Sequence, residues 1–436
     1  MRCARGCSRF LPGGLFLLVV ALFSGCVWQS AAAHDGVLVR VLPGLHDPGG
    51  GYRPAASNSV TLTVWASEVV TTQAGIGFRG DALRFDREGR PALVYTVQLS
   101  ETTTATVYFA RREGTVWQIE EAGSGAESLP TLTFDAQDGP HIIYQQSGVI
   151  YHAQRNGNVW SRDVVDTGKG AVGAATIAAS DAGTVGLAFS APTEDPPALY
   201  YARLSGSDWI VETVMTGTQE GYWHTNWFLG ELDFDYDSQG RPHIGFVKTA
   251  SGLPRDIGSL IHVANIAGIW RNAYVATNMY ITGHAMSMAD GLGGKVAYSS
   301  FGPPCVIPCT RTNTMGVVAI DADGSPGFPW YERSGSDLAA LAVQGDIPEL
   351  LYRHYSSAGR ELWHDRIGTD TIESTLLAID DFGSAALALN SQGEPLVMYY
   401  VPSSHHLVTV RPIQVTFPYG LHLPFIGSAQ AGSEAR

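Results

Sequence analysis

Residues 135–160 read DAQDGPHIIYQQSGVIYHAQRNGNVW, and this one stretch holds both of the repeats on which the fold turns. A Gly-containing turn leads into an apolar run that ends on Tyr144. A second run begins at Tyr151 and Ala153, and Trp160 opens a third. The first run recurs seven times, as GRPALVY to Tyr95, DGPHIIY to Tyr144, GTVGLAF to Phe189, GRPHIGF to Phe246, LGGKVAY to Tyr298, DIPELLY to Tyr352 and GEPLVMY to Tyr399. The copies are 45 to 57 residues apart. Self-similarity at such a period marks supersecondary units that cannot bury their apolar faces alone.

The second run keeps phase with the first in four units: YFARREGTVW to Trp117, YHAQRNGNVW to Trp160, YYARLSGSDW to Trp209 and HVANIAGIW to Trp270. Ahead of each first-ladder strand lies a further apolar stretch, such as DALRF, TLTFD, GELDFDY or SAALALN. Each unit therefore reads as strand, tight hairpin, strand, variable loop, strand, short turn and a Trp-led strand. Four antiparallel strands in about 40–50 residues make one blade of a β-propeller. Runs such as HIIY and LVMYY lack in/out alternation, as expected of sheets buried on both faces. The 50 glycines and 23 prolines supply turns, and no long stretch has helical periodicity.

The fold expected is all-β, a single propeller of seven four-stranded blades. The last unit shows only three strands, and VTLTVWASEVV around Trp65 reads as a Trp-led outer strand without its own blade. Pairing of 59–70 beside 406–411 would close the ring and remove an open sheet edge. The segmentation that follows is 1–33 leader, 34–58 linker or irregular cap, 59–427 propeller and 428–436 disordered tail.

The leader has Arg2, Arg5 and Arg9, then LFLLVVALF, then small residues, the pattern of a secretory signal. Two cleavage readings stay open. FSGC ending at Cys26 fits a bacterial lipobox and lipidation of that cysteine, whereas cleavage after Ala33 would release a soluble chain. Either places the protein outside the cytoplasm, in the membrane only through a lipid anchor. Loss of 1–33 removes three Arg and no acid, so a net charge of −14 becomes −17, which argues against nucleic acid as a partner. The two remaining cysteines, Cys305 and Cys309 in PPCVIPCT, suit a small loop disulfide better than half of a zinc site.

Local chemistry is sparse. DYDSQG (235–240) has calcium-loop spacing, but equivalent turns recur elsewhere without the extra acid, so it reads as a hairpin. His141 and His243 share one repeat position and read as buried, hydrogen-bonded scaffold, and the Trp ladder as blade-to-blade packing. No metal site or cofactor is expected. No nucleophile elbow, phosphate loop or zinc motif occurs, so catalysis is not read from the sequence; were there any, it would be glycoside hydrolysis, which needs paired carboxylates. Glu220, Glu231 and Asp256 lie near variable loops, with nothing in the sequence to pair them.

Repeats of the form Asp-x-x-Gly-x-Pro-His-Ile-x-aromatic, then Tyr-x-Ala, then Trp, resemble the secreted bacterial β-propellers grouped with sialidase-type (BNR) repeats, over about 80–411. The resemblance implies the fold; members include lectins, glycosidases and domains with no known ligand. The Ser-x-Asp-x-Gly-x-x-Trp box of sialidases is missing here, and GFRGD around Arg79 resembles their Phe-Arg-x-Pro arginine without its proline.

The leading expectation is a monomeric, non-catalytic propeller that binds carbohydrate or a surface protein through one loop rim; a glycosidase or lyase and a structural envelope component are the alternatives. Connections between strands two and three, and between one blade and the next, leave on the same rim. The rim carries Tyr222, Trp223, His224 and Trp227 in EGYWHTNW, with Tyr280 and His284 at the next junction and Phe78 and Arg79 at the first. Aromatic faces beside hydrogen-bonding groups suit stacking on sugar rings. The competing expectation is that Trp223 and Trp227 fold inward and plug the channel.

Overall fold

A computed structural model describes residues 38–40, 59–98, 104–194, 197–217, 232–249, 258–289, 293–301, 313–357, 359–369, 371–379 and 381–418. Every regular element among them is a β-strand. The chain divides into two units, 67–411 and the two flanking ends, 1–66 with 412–436.

Residues 67–411 hold the repeats. Blade 1 has an inner strand in two pieces, Ile76–Gly77 and Leu83–Phe85, both paired with Pro91–Val97, followed by Ala105–Glu113 and Val116–Ala126. Blade 2 is Thr131–Phe134, Pro140–Gln146, Val149–Asn156 and Val159–Val164; blade 3 runs from Ala175–Ala179 to Asp208–Thr216. Blades 4 and 5 share a strand. Ile269–Ala289 pairs with Gly258–Ile266 up to Met279, as the outer strand of blade 4. From Tyr280 it pairs with Gly293–Phe301, as the inner strand of blade 5. Blade 6 runs from Ser336–Gln344 to Ile372–Ile379, and blade 7 begins with Ala385–Leu389 and Pro395–Val401.

The closing strand is where the sequence placed it. Ser59–Thr71 lies beside His406–Pro418, the third strand of blade 7. Within 67–411, Thr409 Oγ1 donates to the Glu68 carbonyl (3.4 Å). In the flanking unit, Gln414 Nε2 donates to Thr63 Oγ1 (2.8 Å), and Leu38–Arg40, in the stretch expected as a linker, forms a short strand at the edge of Ser59–Thr71. The inner strands touch in ring order, blade 1 to 2 and onward to blade 7 and back to 1. Seven blades and a closed ring follow. Residues 1–33 and 419–436 lie outside the described residues.

The two sequence ladders are the core. Tyr95, Tyr144, Phe189, Phe246, Tyr298 and Tyr352 are buried, with Tyr399 half-buried. Tyr95 stacks on Tyr108, Tyr144 on Tyr151 and Phe189 on Tyr200, the same cross-strand pair in three consecutive blades. The tryptophans reach between blades: Trp160 meets Phe109 of blade 1, Trp209 meets His152 of blade 2, and Trp270 meets Tyr201 of blade 3.

His141 and His243 are scaffold, as expected, and each belongs to a relay. His141 bonds His152 (2.8 Å) and the turn carboxylate Asp135 (3.2 Å). His243 bonds His262 (2.9 Å) and Asp237 (3.3 Å), and His262 reaches the Gly324 carbonyl in the next blade (3.1 Å). Blade 6 substitutes Glu349 at the His141 position, bonded to His364 (2.8 Å). The DYDSQG turn is a hairpin: Asp237 Oδ1 accepts from Gln239 N and Arg241 N, while Asp235 turns away to Met288 N. Among the described residues no cluster of metal-ligating side chains occurs.

Candidate functional site at the ring centre

The break in the inner strand of blade 1, residues 78–82, leaves the sheet and crosses the channel. The Gly80 carbonyl accepts from Leu387 N of blade 7 (3.4 Å), and Gly80 packs against Ala339 of blade 6 so closely that a Cβ would overlap the Ala339 oxygen. Arg79 carries the crossing to the far side. Its Nε donates to Asp81 Oδ1 (2.9 Å), and its Nη2 donates to the carbonyl of Leu232, just ahead of the inner strand of blade 4 (2.8 Å). Asp233 Oδ1 lies 4.0 Å from the same nitrogen. On blade 5, His284 Nδ1 stands 3.0 Å from Asp233 Oδ2, at an angle short of a hydrogen bond.

Beside this crossing lies a cavity of ≈ 280 Å³, walled by the inner strands of blades 1, 4, 5, 6 and 7. Its apolar wall sets Ala340, Ala342 and Ala388 among larger residues such as Phe85, Met286 and Val343, and its polar wall carries Arg79, Asp81, Arg84, Asp233, His284 and Ser287. The side chains of Arg79 and His284 are only 6% and 2% exposed, so they form the fixed base of the cavity. Asp81, at 26%, is the more accessible of the two carboxylates. Burial would raise the Asp81 pKa, but the fields of Arg79 and Arg84 outweigh it and hold the carboxyl below its usual value. On the neighbouring strand burial prevails: Asp235 is pushed up despite Arg84 and the N–H groups of Met288 and Tyr236.

Of the residues singled out from sequence, Arg79 and His284 converge on Asp233. Phe78 is buried in the core, its amide facing Ser384 Oγ (3.5 Å), and so supports the crossing from behind. Tyr280 is half-buried at the start of the blade 5 inner strand, opposite Phe301. Tyr222, Trp223, His224, Trp227, Glu220, Glu231, Asp256, Cys305, Cys309 and Cys26 lie outside the described residues. Asp81, Arg84 and Asp233 were not found from sequence. One signal was present: Arg84 and Asp235 put charge at the inner-strand position paired with Ala92 and His243, which Ala178, Ala342 and Ala388 fill in blades 3, 6 and 7.

No protein-family model matches this chain, and no curated protein sequence does. Among solved structures it is similar to a polysaccharide lyase, at 7% identity over 78% of this chain and 90% of that one, TM-score 0.46. It is also similar to the β-propeller domain of the Trilobed protease from Pyrococcus furiosus, at 8% identity over 79% and 96%, TM-score 0.46. A third is a Hadza microbial sialidase, at 13% identity over 78% and 65%, TM-score 0.41.

Proposed function

We propose that the protein is an extracytoplasmic binding propeller that takes a carbohydrate at the ring centre. The observation that supports this reading is a cavity in which charged groups of both signs from blades 1 and 4, with His284 of blade 5, face an apolar wall that includes Ala340, Ala342 and Ala388. A sugar offers many hydroxyls, each able to donate and accept, and its ring carbons tolerate an alanine-lined wall. Carboxylate and guanidinium groups held by a rigid ring meet those hydroxyls with little ordering cost.

The test is a glycan array and calorimetric titration on the full chain beside Ala342→Leu, which fills the cavity wall without removing any polar partner. Sugar binding lost in Ala342→Leu, with the melting temperature kept within a few degrees, is the expected result. Binding that survives Ala342→Leu unchanged would move the site elsewhere, and silence on the array would defeat the reading.

A further inference from the structure

Resting on that reading, we infer that the cavity selects an acidic sugar, a uronate-sized ring whose carboxylate is taken by Arg84. Arg84 sits on the inner strand of blade 1, paired across from Ala92, and lines the cavity half-buried. Every other charged group there is engaged at contact range. Arg79 holds Asp81 and the Leu232 carbonyl; Asp233 faces His284 and Arg79; Asp235, on the strand alongside, accepts from Met288 N (2.9 Å) and Tyr236 N (2.9 Å). The Arg84 guanidinium makes no hydrogen bond or ion pair among the described residues and acts on Asp81 and Asp235 only at longer range.

A guanidinium presents five N–H donors in a fixed plane and cannot lose its charge, so one left without contact partners at a half-buried wall is matched best by a carboxylate bound through two parallel bonds. Arg79 lies 2.9 Å from Asp81 and 4.0 Å from Asp233, nearer to both wall carboxylates than Arg84 is, so Arg84 is the cation left to an incoming carboxylate. The size is consistent as well. At ≈ 280 Å³ the cavity lies just below the usual span of ligand pockets, about 300–1,000 Å³. It holds a ring or two rather than a long segment of polymer.

Two pairs of sugars, each differing in one group, isolate the carboxylate: glucuronate against glucose, and galacturonate against galactose. Calorimetric titration of the full chain should show at least one acid bound ten-fold or more tightly than its neutral partner, with the advantage shrinking as salt rises. Arg84→Gln should abolish that advantage, bringing the acid and its neutral partner within about two-fold of each other. Arg84→Lys, which keeps charge but loses the planar fork, should retain part of it. Because Arg84 holds no contact-range bond, both variants should melt within a few degrees of the parent. Acid and neutral sugars bound equally, or a preference that persists in Arg84→Gln, would overturn this inference and leave the cavity reading intact. Neither pair binding at millimolar concentration, in a chain that also gives nothing on the glycan array, would remove both.

Discussion

Gly80 is the residue on which the ring centre depends. It lies in the crossing segment with its carbonyl on Leu387 N and its α-carbon against the Ala339 oxygen, so no side chain fits. Gly80→Ala should cost about 1–3 kcal/mol, the range for overpacking a filled interior, and lower the melting temperature by several degrees. The control is Gly89→Ala, at a turn with open space around it but a left-handed φ of 74°. It carries backbone strain alone and should cost about 1 kcal/mol. Equal losses for the two would mean that the close approach at Gly80 is not a constraint. Little of this was legible at the level of single residues. GFRGD named Arg79, but its partners Leu232 and Asp233 lie some 150 positions away and no local motif joins them. Arg84 was hidden for a different reason, since a lone charge in a short apolar strand reads as an exception until its neighbours across the channel are known.

At the scale of the element, the histidine relays set an acid limit. Burial disfavours the imidazolium, and it pushes His152 and His262 down to about 3 while lowering His141. In the unfolded chain each imidazole titrates near 6.5. The folded-state value is the lower one, so below about pH 6.5 the unfolded state binds protons that the folded state refuses. Stability is therefore fully present above pH 6.5 and falls as pH drops towards 3, with roughly 1 kcal/mol lost per pH unit for each strongly shifted histidine. Asp135, whose pKa is lowered by its turn N–H groups and His141 in spite of burial, extends the loss below pH 4. Denaturant titrations at pH 7, 5.5 and 4.5 should show this slope, and His152→Gln with His262→Gln should be less stable at pH 7 but shallower in slope. Parallel slopes in parent and double variant would contradict it. The sequence disclosed half of each relay. His141 and His243 share a repeat position, but His152 and His262 sit diagonally across the hairpin, a relation that appears only once the register pairs Ile143 with His152 and Gly245 with His262.

For the whole molecule, seven blades were legible because one aromatic per unit must fill the same buried place in every blade, and that requirement survives divergence of all else. The second ladder stops at Trp270, and the outer strands Pro326–Ser334 of blade 5 and Ile372–Ile379 of blade 6 are not Trp-led. The closing strand was readable as a Trp-led segment without a blade. Removing residues 1–71 should leave His406–Pro418 as an open edge in a three-stranded seventh blade. The truncated chain is expected to melt over a broad range and to self-associate in light scattering, and a monomer melting as sharply as the parent would show that closure is dispensable. The site resisted the same approach because its walls come from blades 1, 4, 5, 6 and 7, so no window of sequence contains it.

The strand shared by blades 4 and 5 has a consequence for how strain moves round the circle. At the boundary between blades 2 and 3 the backbone leaves one sheet at Val165 and rejoins the next at Val172, through residues 166–171 that carry no ladder bond, and such a joint can absorb a small rotation. Ile269–Ala289 has no such joint: Met279 is still zipped to blade 4 when Tyr280 begins in blade 5. A tilt of either blade is therefore transmitted directly to the other as torsion of one ribbon, and His284 and Asp233 face each other across that inelastic sector. Amide exchange should register it as protection of the ladder-facing amides on both sides of the Met279–Tyr280 boundary, beside fast exchange at 166–171, so that the sector bearing Asp233 and His284 breathes less than the joint between blades 2 and 3.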